Sequence, residues 1–319
     1  MSLKIMIYKN QLENLKNAEI GKKYQILGKI TNINKGDNFY NIDVLLTEME
    51  IINIKIENIN LVLITEKIYI FEVIRNLKSN KYYWICQSLN LIENILNLEE
   101  TYQYYRLFFV CAPLSFEKAD FLITKYINKI KNYNLNKITT ALYNKYKLSF
   151  LISPAAFKMH HNYYGGLAYH TTNMLQITLN LAERYNFLNL DLLYAGIILH
   201  DMFKVKEFNF SKKEYTKEGI LLGHLVLAVN YVHEEAVFFN IQDTEEILLL
   251  KHLLISHHGL LEYGALKTPQ TGEAFLLWHL DNIDAKLTSL GETLAKTSAG
   301  SFSEPLAVFE KKSLYKPNL

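Results

Sequence analysis

The sequence predicts a multidomain α and β protein in which a small N-terminal β-barrel is followed by an all-α domain. Its 319 residues are enough for two domains of roughly 150 residues each. Apolar residues recur with period 2 up to about Ile92 and with period 3.6 after about Asn94. With 50% hydrophobic and 21% charged residues, the chain has the composition of a globular protein with a sizeable core.

Five segments between Gly21 and Ile92 alternate β-branched or aromatic residues with polar ones, as half-buried strands do. The turn-rich residues 35–38 and 78–81 separate neighbouring segments and predict two hairpins. Five short strands in some 70 residues predict an OB-like barrel, the commonest such barrel for binding oligonucleotides.

The later period of 3.6 predicts a series of helices. We expect them over residues 116–131, 135–146, 167–185, 190–203, 219–240, 244–258 and 273–296. The chain then divides into four parts, which are a β domain over 1–95, a helical connector over 96–152, an all-α domain over 153–300 and a C-terminal tail over 301–319.

Several classes of protein are disfavoured by composition. No apolar run reaches the roughly 18–20 residues that span a bilayer, and no signal peptide is evident, so we expect a cytoplasmic protein without a membrane partner. The net charge of +2 does not by itself argue for nucleic-acid binding. Cys86 and Cys111 lack metal-site spacing and are expected as buried thiols. A homo-oligomer is compatible with the sequence.

Candidate metal ligands concentrate in the second half, since all ten histidines lie after position 159. His170 lies near the start of one predicted helix, and the pair His200-Asp201 ends the next. Asp281 and Asp284 are three residues apart on one helix face, within its apolar stripe, where a carboxylate needs a partner. Mixed nitrogen and oxygen ligands suit Mn²⁺, Fe²⁺, Zn²⁺, Ni²⁺ or Mg²⁺.

Three further histidines are candidates for a second cation. His224 interrupts an apolar run, and His257 and His258 end another helix. If Asp201 bridged two cations, they would lie about 3.5 to 4 Å apart. His160 and His161 precede Gly165-Gly166 and are candidates for lining a substrate path.

These residues occur in the order typical of a known family. Five segments follow one another in this order, namely Gly165-Gly-Leu-Ala-Tyr-His, Leu199-His-Asp-Met-Phe-Lys, Gly223-His, Ser256-His-His-Gly and Asp281-x-x-Asp-Ala-Lys. Together they resemble the HD superfamily of metal-dependent phosphohydrolases. The strand-rich N-terminus, Pro154-Ala-Ala-Phe and His161-x-x-Tyr-Gly-Gly-Leu make the chain resemble, more narrowly, the YhaM-type 3′-to-5′ exoribonucleases.

The resemblance implies roles for individual residues. It makes His170, His200, Asp201 and Asp281 the metal ligands, with Asp281 preferred to Asp284 and with His224, His257 and His258 as additions. Lys204 matches a lysine that contacts phosphate, although an ordinary solvated lysine is an equal alternative. His160 or His161 is expected to position the scissile group. The cofactor is a divalent cation, with Mn²⁺ the first choice.

The predicted barrel carries candidate stacking platforms for single-stranded bases. They are Phe39, Tyr40, Tyr82, Tyr83 and Trp84. Core packing explains many of these aromatic residues equally well. Because successive residues of a strand point to opposite faces, Tyr83 and its two neighbours cannot all face one ligand.

The leading hypothesis is an exonuclease that hydrolyses single-stranded RNA, or alternatively DNA, with metal-activated water. A second hypothesis keeps the metal chemistry but takes nucleotides or cyclic dinucleotides as substrates. A third is a non-catalytic, nucleic-acid-binding regulatory protein with a structural metal. The direction of hydrolysis is implied by the family resemblance alone.

Overall fold

The computed structural model describes residues 11–156, 162–182 and 184–319. The chain divides into two compact units, Met1–Cys111 and Ala112–Leu319. The predicted connector over 96–152 is therefore split between the two units. The division into four parts stays a prediction.

The first unit contains a closed five-stranded barrel with the order β1-β2-β3-β5-β4. Its strands are β1 (Lys23–Lys35), β2 (Tyr40–Leu46), β3 (Ile51–Ile56), β4 (Ile68–Lys78) and β5 (Lys81–Leu91). Neighbours pair antiparallel except β3 and β5, which run parallel at Ile54↔Trp84 and thereby close the barrel. The inward residues form the core, including the fully buried Ile30, Val44 and Phe71.

Both predicted hairpins are present in the barrel. The β4–β5 hairpin turns through Ser79 and Asn80, whose φ angles of 51° and 61° are those of a two-residue turn that follows the twist of the strands. Where β1 crosses β2, a Cβ on Gly28 would lie 2.2 Å from Val44 Cγ1. Only glycine therefore allows these two strands to approach so closely.

Three helices complete the described part of the first unit. They are α1 (Gln11–Lys16), α2 (Ile92–Ile95) and α3 (Leu98–Phe108). Helix α3 begins with a capping box in which the Asn97 side chain accepts from the Glu100 amide and Glu100 reaches back to the Asn97 amide.

The second unit is built mainly of helices. They are α4 (Phe116–Ile127), α5 (Tyr133–Ile152), α6 (Gly166–Ala182), α7 (Leu190–Leu199), α8 (Lys204–Glu207), α9 (Lys217–Phe238), α10 (Glu245–Ser256) and α11 (Gly272–Lys296). Two short hairpins, β6–β7 (Phe208–Asn209 with Glu214–Tyr215) and β8–β9 (Ser301–Phe302 with Tyr315–Lys316), accompany them. Helix α7 is the central one, since Leu192 to Leu199 are all buried.

The predicted fold class, a small barrel followed by a helical region, is confirmed. The C-terminal residues expected as a tail instead form the β8–β9 hairpin and a 3-10 turn at Ala307–Phe309. None of the helices in the described residues combines the length and the apolar character that a membrane span needs.

Candidate metal centre

The candidate ligands lie on five elements of the second unit. His170 is in α6, His200 and Asp201 directly follow α7, and His224 lies in α9 directly after a kink at Gly223, whose φ is +70°. His257 and His258 follow α10, and Asp281 is in α11. Because α7 is buried from Leu192 to Leu199, its C-terminal end carries the His200-Asp201 pair into the interior.

One cluster joins His170, His200 and Asp281, whose ligand atoms all lie within 4.8 Å of one another. His170 Nε2 is 3.3 Å from Asp281 Oδ1. His200 Nδ1 lies 2.7 Å from the Ile197 carbonyl oxygen, which can only accept a hydrogen bond. That contact puts the proton on Nδ1 and leaves the lone pair of His200 on Nε2, facing the cluster.

A second cluster joins His224, His257 and His258, whose ligand atoms also lie within 4.8 Å of one another. His257 Nδ1 donates to the Leu254 carbonyl oxygen at 2.8 Å, so its Nε2 keeps a lone pair. His224 Nδ1 lies 2.9 Å from Glu207 Oε2, although the angle is not that of a hydrogen bond. Sequence reasoning did not single out Glu207.

Asp201 lies between the two clusters. Its Oδ2 is 3.4 Å from His200 Nε2 in the first cluster. Its Oδ1 is 3.4 Å from His224 Nε2 and 3.7 Å from His257 Nε2 in the second. One carboxylate thus presents an oxygen to each cluster, which is the arrangement of a carboxylate shared by two cations.

Seven buried atoms in this region have no hydrogen-bond partner among the described residues. Three are Glu207 Oε2, His224 Nδ1 and His258 Nδ1. The other four are the ligand atoms around Asp201, namely His200 Nε2, His224 Nε2, His257 Nε2 and Asp201 Oδ1. Each unsatisfied buried polar atom costs about 1–3 kcal/mol, so a fold that gathers four of them needs a compensating ligand. Imidazole nitrogens and a carboxylate oxygen are donors that a divalent transition metal prefers. The residues present therefore fit a divalent cation.

The charges of the site are set by close pairs. Burial alone would raise the pKa of Asp201, but the adjacent Lys204 ammonium holds that pKa well below its usual value. Lys204 Nζ donates to Asp201 Oδ2 at 2.7 Å, so this lysine is paired in the site rather than solvated. Burial lowers the pKa of His257 and brings that of His258 to about 3. Both rings are therefore neutral at pH 7, as ligation requires.

Asp281 and Asp284 contact opposite nitrogens of one imidazole. Asp281 lies at His170 Nε2, whereas Asp284 Oδ2 lies 2.6 Å from His170 Nδ1. The second Asp284 oxygen accepts from Asn173 Nδ2 at 3.0 Å. Burial alone would lower the pKa of His170, but hydrogen bonds to both carboxylates raise it to about 10. Ligation of a metal through Nε2 would release the proton that this nitrogen carries at pH 7. Asp284 would then be the outer carboxylate that orients the ring.

Asn173 was missed by sequence reasoning, and so was the orienting position of Asp284. The available signal was spacing, since Asn173 follows His170 by three residues and therefore shares its helix face. His160 and His161, the other candidates for a substrate-positioning role, lie outside the described residues.

The candidate stacking residues of the barrel lie in different environments. Tyr40 and Trp84 pack against the barrel core, and the Tyr40 hydroxyl donates to the Ile59 carbonyl oxygen. Tyr82 is exposed, with the Arg75 guanidinium 4.0 Å from its ring centroid. Phe39 has Lys55 Nζ at 5.0 Å from its ring centroid, and Tyr83 is half-buried. The structure therefore does not bring all five rings to one face.

A cavity of about 590 Å³ opens beside the metal centre. Asp201, Lys204, His258 and Asp281 form part of its lining. This volume lies in the range of pockets that hold drug-sized ligands and cofactors. The candidate ligands Asp201 and Asp281 together with the Lys204 ammonium group make this cavity suited to a phosphorylated ligand.

The sequence model of the HD domain matches residues 167–286, a range that includes both clusters and Asp284. Together with the geometry, this match defines an HD-domain protein, a class whose fold is that of metal-dependent phosphohydrolases.

Curated relatives specify the family more closely. Over 211 residues the chain is 42% identical to the 3′-5′ exoribonuclease YhaM of Bacillus velezensis and 41% identical to that of Bacillus subtilis. Each match covers 66% of this chain and 67% of the relative. The chain belongs to the YhaM family of HD-domain proteins. Among solved structures, a replication protein A heterotrimer bound to single-stranded DNA matches with a TM-score of 0.23 and 13% sequence identity. This match covers 29% of this chain and 71% of the other chain. The likeness is too weak to carry any argument.

Proposed function

We propose that this protein is a metal-dependent 3′-to-5′ exoribonuclease that acts on single-stranded RNA. The observation that carries the proposal is the position of Asp201, which offers one oxygen to each of two histidine clusters beside a cavity large enough for a nucleotide. The family relatives support the reaction, since they are named 3′-5′ exoribonucleases.

His170, His200, Asp201 and Asp281 are proposed to hold the first cation. His224, His257 and His258 are proposed to hold a second one through the other oxygen of Asp201. Mn²⁺ is the proposed metal, as one of the divalent cations compatible with mixed imidazole and carboxylate donors. When bound, such cations lower the pKa of water and polarise a phosphoryl oxygen, so no nucleophilic side chain is required.

The protein's own groups arrange the substrate around that centre. Lys204 is held by Asp201 at 2.7 Å and also lines the cavity, so its ammonium group is placed to contact a phosphate oxygen as a point charge. Asp284 and the Ile197 carbonyl fix the rings of His170 and His200 through their Nδ1 atoms. This leaves both Nε2 atoms directed at the site without further rearrangement.

Single-stranded RNA is also the proposed partner of the barrel. Tyr82 and Phe39 are the barrel candidates that combine an aromatic ring with an adjacent cation, which is the pairing that favours bases and phosphates together. Salt-sensitive binding to a single-stranded oligoribonucleotide, weakened by Tyr82→Ala, is the expected result. Binding that is unchanged by this substitution would remove Tyr82 from the RNA surface.

The proposal is tested with purified protein, Mn²⁺ and a 5′-labelled RNA oligomer whose 3′ end is either free or blocked. Stepwise release of mononucleotides from the free end alone is expected. Asp201→Ala should abolish this activity, whereas Asp243→Ala, which removes an exposed carboxylate of the same unit, should retain it. Internal cleavage, or equal cleavage of the blocked oligomer, would overturn the exonuclease assignment.

Two further arms separate the alternatives. Hydrolysis of mononucleotides or cyclic dinucleotides with no action on RNA would favour a nucleotide phosphohydrolase. RNA binding without turnover in either Mn²⁺ or Mg²⁺ would favour a regulatory protein with a structural metal.

A further inference from the structure

The C-terminal segment 301–316 is anchored to the helix that carries Asp281. Lys316 Nζ donates to the carbonyl oxygens of Leu294 and Thr297, both at 2.8 Å. A lysine in this position places hydrogen-bond donors and a positive charge at the C-terminal end of the helix, where both are favourable. The β8–β9 hairpin then holds the two ends of the segment together.

Between these two strands, the chain turns back to the cavity beside the metal centre. The Leu306 amide donates to the Lys312 carbonyl oxygen at 3.1 Å, and the Lys311 amide donates to the Leu306 carbonyl oxygen at 2.9 Å. Glu310 and Lys311 have φ angles of 55° and 61°, which non-glycine residues rarely adopt. As at Ser79 and Asn80, two such residues in succession make a tight turn.

This turn forms one wall of the cavity. Val308, Phe309 and Lys312 line it together with Asp201 and Asp281. The residues expected as a tail therefore contribute directly to the pocket that holds the proposed metal ligands.

Trp278 also lines the cavity, together with a third aromatic residue, Tyr263. The Trp278 ring is fixed from behind. A Cβ on Gly259 would lie 1.9 Å from Trp278 Cε2, so the ring packs on the bare backbone that directly follows His258. The His279 ring lies alongside it, with centroids 4.5 Å apart and an interplanar angle of 30°. A rigid aromatic ring provides contact area at little cost in conformational entropy.

Phe309 is accompanied by a cation. Lys286 Nζ lies 5.8 Å from the Phe309 ring centroid, and both residues line the cavity. Lys312 is already paired with Glu310 at 2.8 Å, whereas Lys286 makes no ion pair with any residue that the structure describes. Lys286 is therefore available to an anionic group of a ligand. Glu310, which also lines the cavity, interacts with Lys286 through space but is hydrogen-bonded to Lys312. An aromatic ring beside the Lys286 ammonium suits a base and its phosphate.

We propose that Phe309, Trp278 and Lys286 form a nucleotide subsite, in which the C-terminal segment contacts the base of a nucleoside monophosphate unit and Lys286 contacts its phosphate. The assignment of this unit to the 3′ end of RNA rests on the proposed exoribonuclease function. Binding of a free nucleoside monophosphate does not depend on the proposed exoribonuclease function, because it requires only the pocket.

The direct test uses the intrinsic fluorescence of Trp278. The protein has two tryptophans, so Trp84→Phe leaves Trp278 as the only tryptophan emitter. In Mg²⁺, adenosine 5′-monophosphate should quench this emission. Phe309→Ala should raise the dissociation constant about 10-fold, since stacking contributes about 1–3 kcal/mol per base. Phe302→Ala is the matched control, because Phe302 is an exposed phenylalanine of the same segment that does not line the cavity.

Ribose 5-phosphate separates the two contacts, because it carries the phosphate without the base. Lys286→Gln should weaken both ligands, whereas Phe309→Ala should weaken adenosine monophosphate alone. If Phe309→Ala and Lys286→Gln bind both ligands as the parent does, the subsite is overturned. Phe309→Leu, which keeps an apolar side chain without the ring, tests the stacking contact should Phe309→Ala prove unstable.

Kinetics on RNA complete the test and distinguish the two proposals. Phe309→Ala should raise KM for an RNA oligomer about 10-fold with a much smaller change in kcat. Phe309-dependent binding of adenosine monophosphate without RNA degradation would leave the subsite standing and remove the exoribonuclease. If RNA is degraded but neither Phe309→Ala nor Lys286→Gln changes KM or nucleotide binding, the exoribonuclease proposal would stand and the subsite would be overturned.

Discussion

Replacing Asp284 with Asn tests whether an outer carboxylate controls the metal centre through His170. The substitution keeps the shape of the side chain and removes its charge. Hydrogen bonds to charged groups contribute about 1.5–3 kcal/mol and neutral ones about 0.5–1.5 kcal/mol, so the bond at His170 Nδ1 should lose about 1–1.5 kcal/mol. If that loss falls on the metal-bound state, affinity for the cation falls about 10-fold. Mutation of residues that orient a metal ligand typically lowers metal affinity by about 10- to 100-fold, so this value is at the lower end of that range.

The assay is calorimetric titration of metal-depleted protein with Mn²⁺. Glu292→Gln is the matched control, because it removes an exposed carboxylate from the same helix. An unchanged dissociation constant for Asp284→Asn would refute the reasoning that this carboxylate tunes His170. A loss as complete as that of Asp281→Asn would show instead that Asp284 is itself a ligand.

Three further predictions concern stability and reactivity. Chelation with EDTA should lower Tm of the second unit by about 5–10 °C, because a cation at 100 times its Kd contributes about 2.7 kcal/mol; an equal Tm with and without Mn²⁺ would contradict a bound cation. Gly259→Ala should lower the free energy of unfolding, measured in urea, by about 2–4 kcal/mol. The reason is that the φ angle of Gly259 is +77° and an added Cβ would meet Trp278. Gly291→Ala is the control and should not destabilise the protein, because a Cβ there would have no atom within 4 Å. Burial raises the pKa of Cys86 and Cys111 to about 12. At pH 8, both thiols should therefore react with a disulfide reagent about 1000-fold more slowly than they do in the unfolded chain, and their rates should rise about 10-fold per pH unit. Rates that level off near pH 9 would refute the raised pKa.

The elements of the fold were largely predictable because they depend on local periodicity. The alternation of apolar residues placed all five strands of the barrel, and the 3.6-residue period placed seven helices of the second unit to within a few residues at most ends. Helix α3 was not predicted as a separate element and fell within the predicted helical connector, although Asn97 and Glu100 form a capping box at its start.

The candidate ligands could be named from the sequence because their types and order in the chain are distinctive, and the structure brings them into two clusters. Their arrangement was not available from spacing, since His170 and Asp281 are far apart in sequence and only packing brings Nε2 within 3.3 Å of Oδ1. The same holds for Glu207 at His224 and for Asn173 at Asp284. These contacts depend on side-chain direction, which sequence periodicity does not encode.

The amino-acid sequence by itself determined the strand and helix periods, the family and the chemical types of the candidate ligands, because these follow from neighbouring residues and their order. Only the tertiary structure decided that Asp201 presents one oxygen to each histidine cluster, that Asp284 contacts the outer nitrogen of His170, and that Phe309 lines the same cavity as Asp281. The physical reason is that each of these relations joins atoms from different helices or turns, and long-range packing sets their distances.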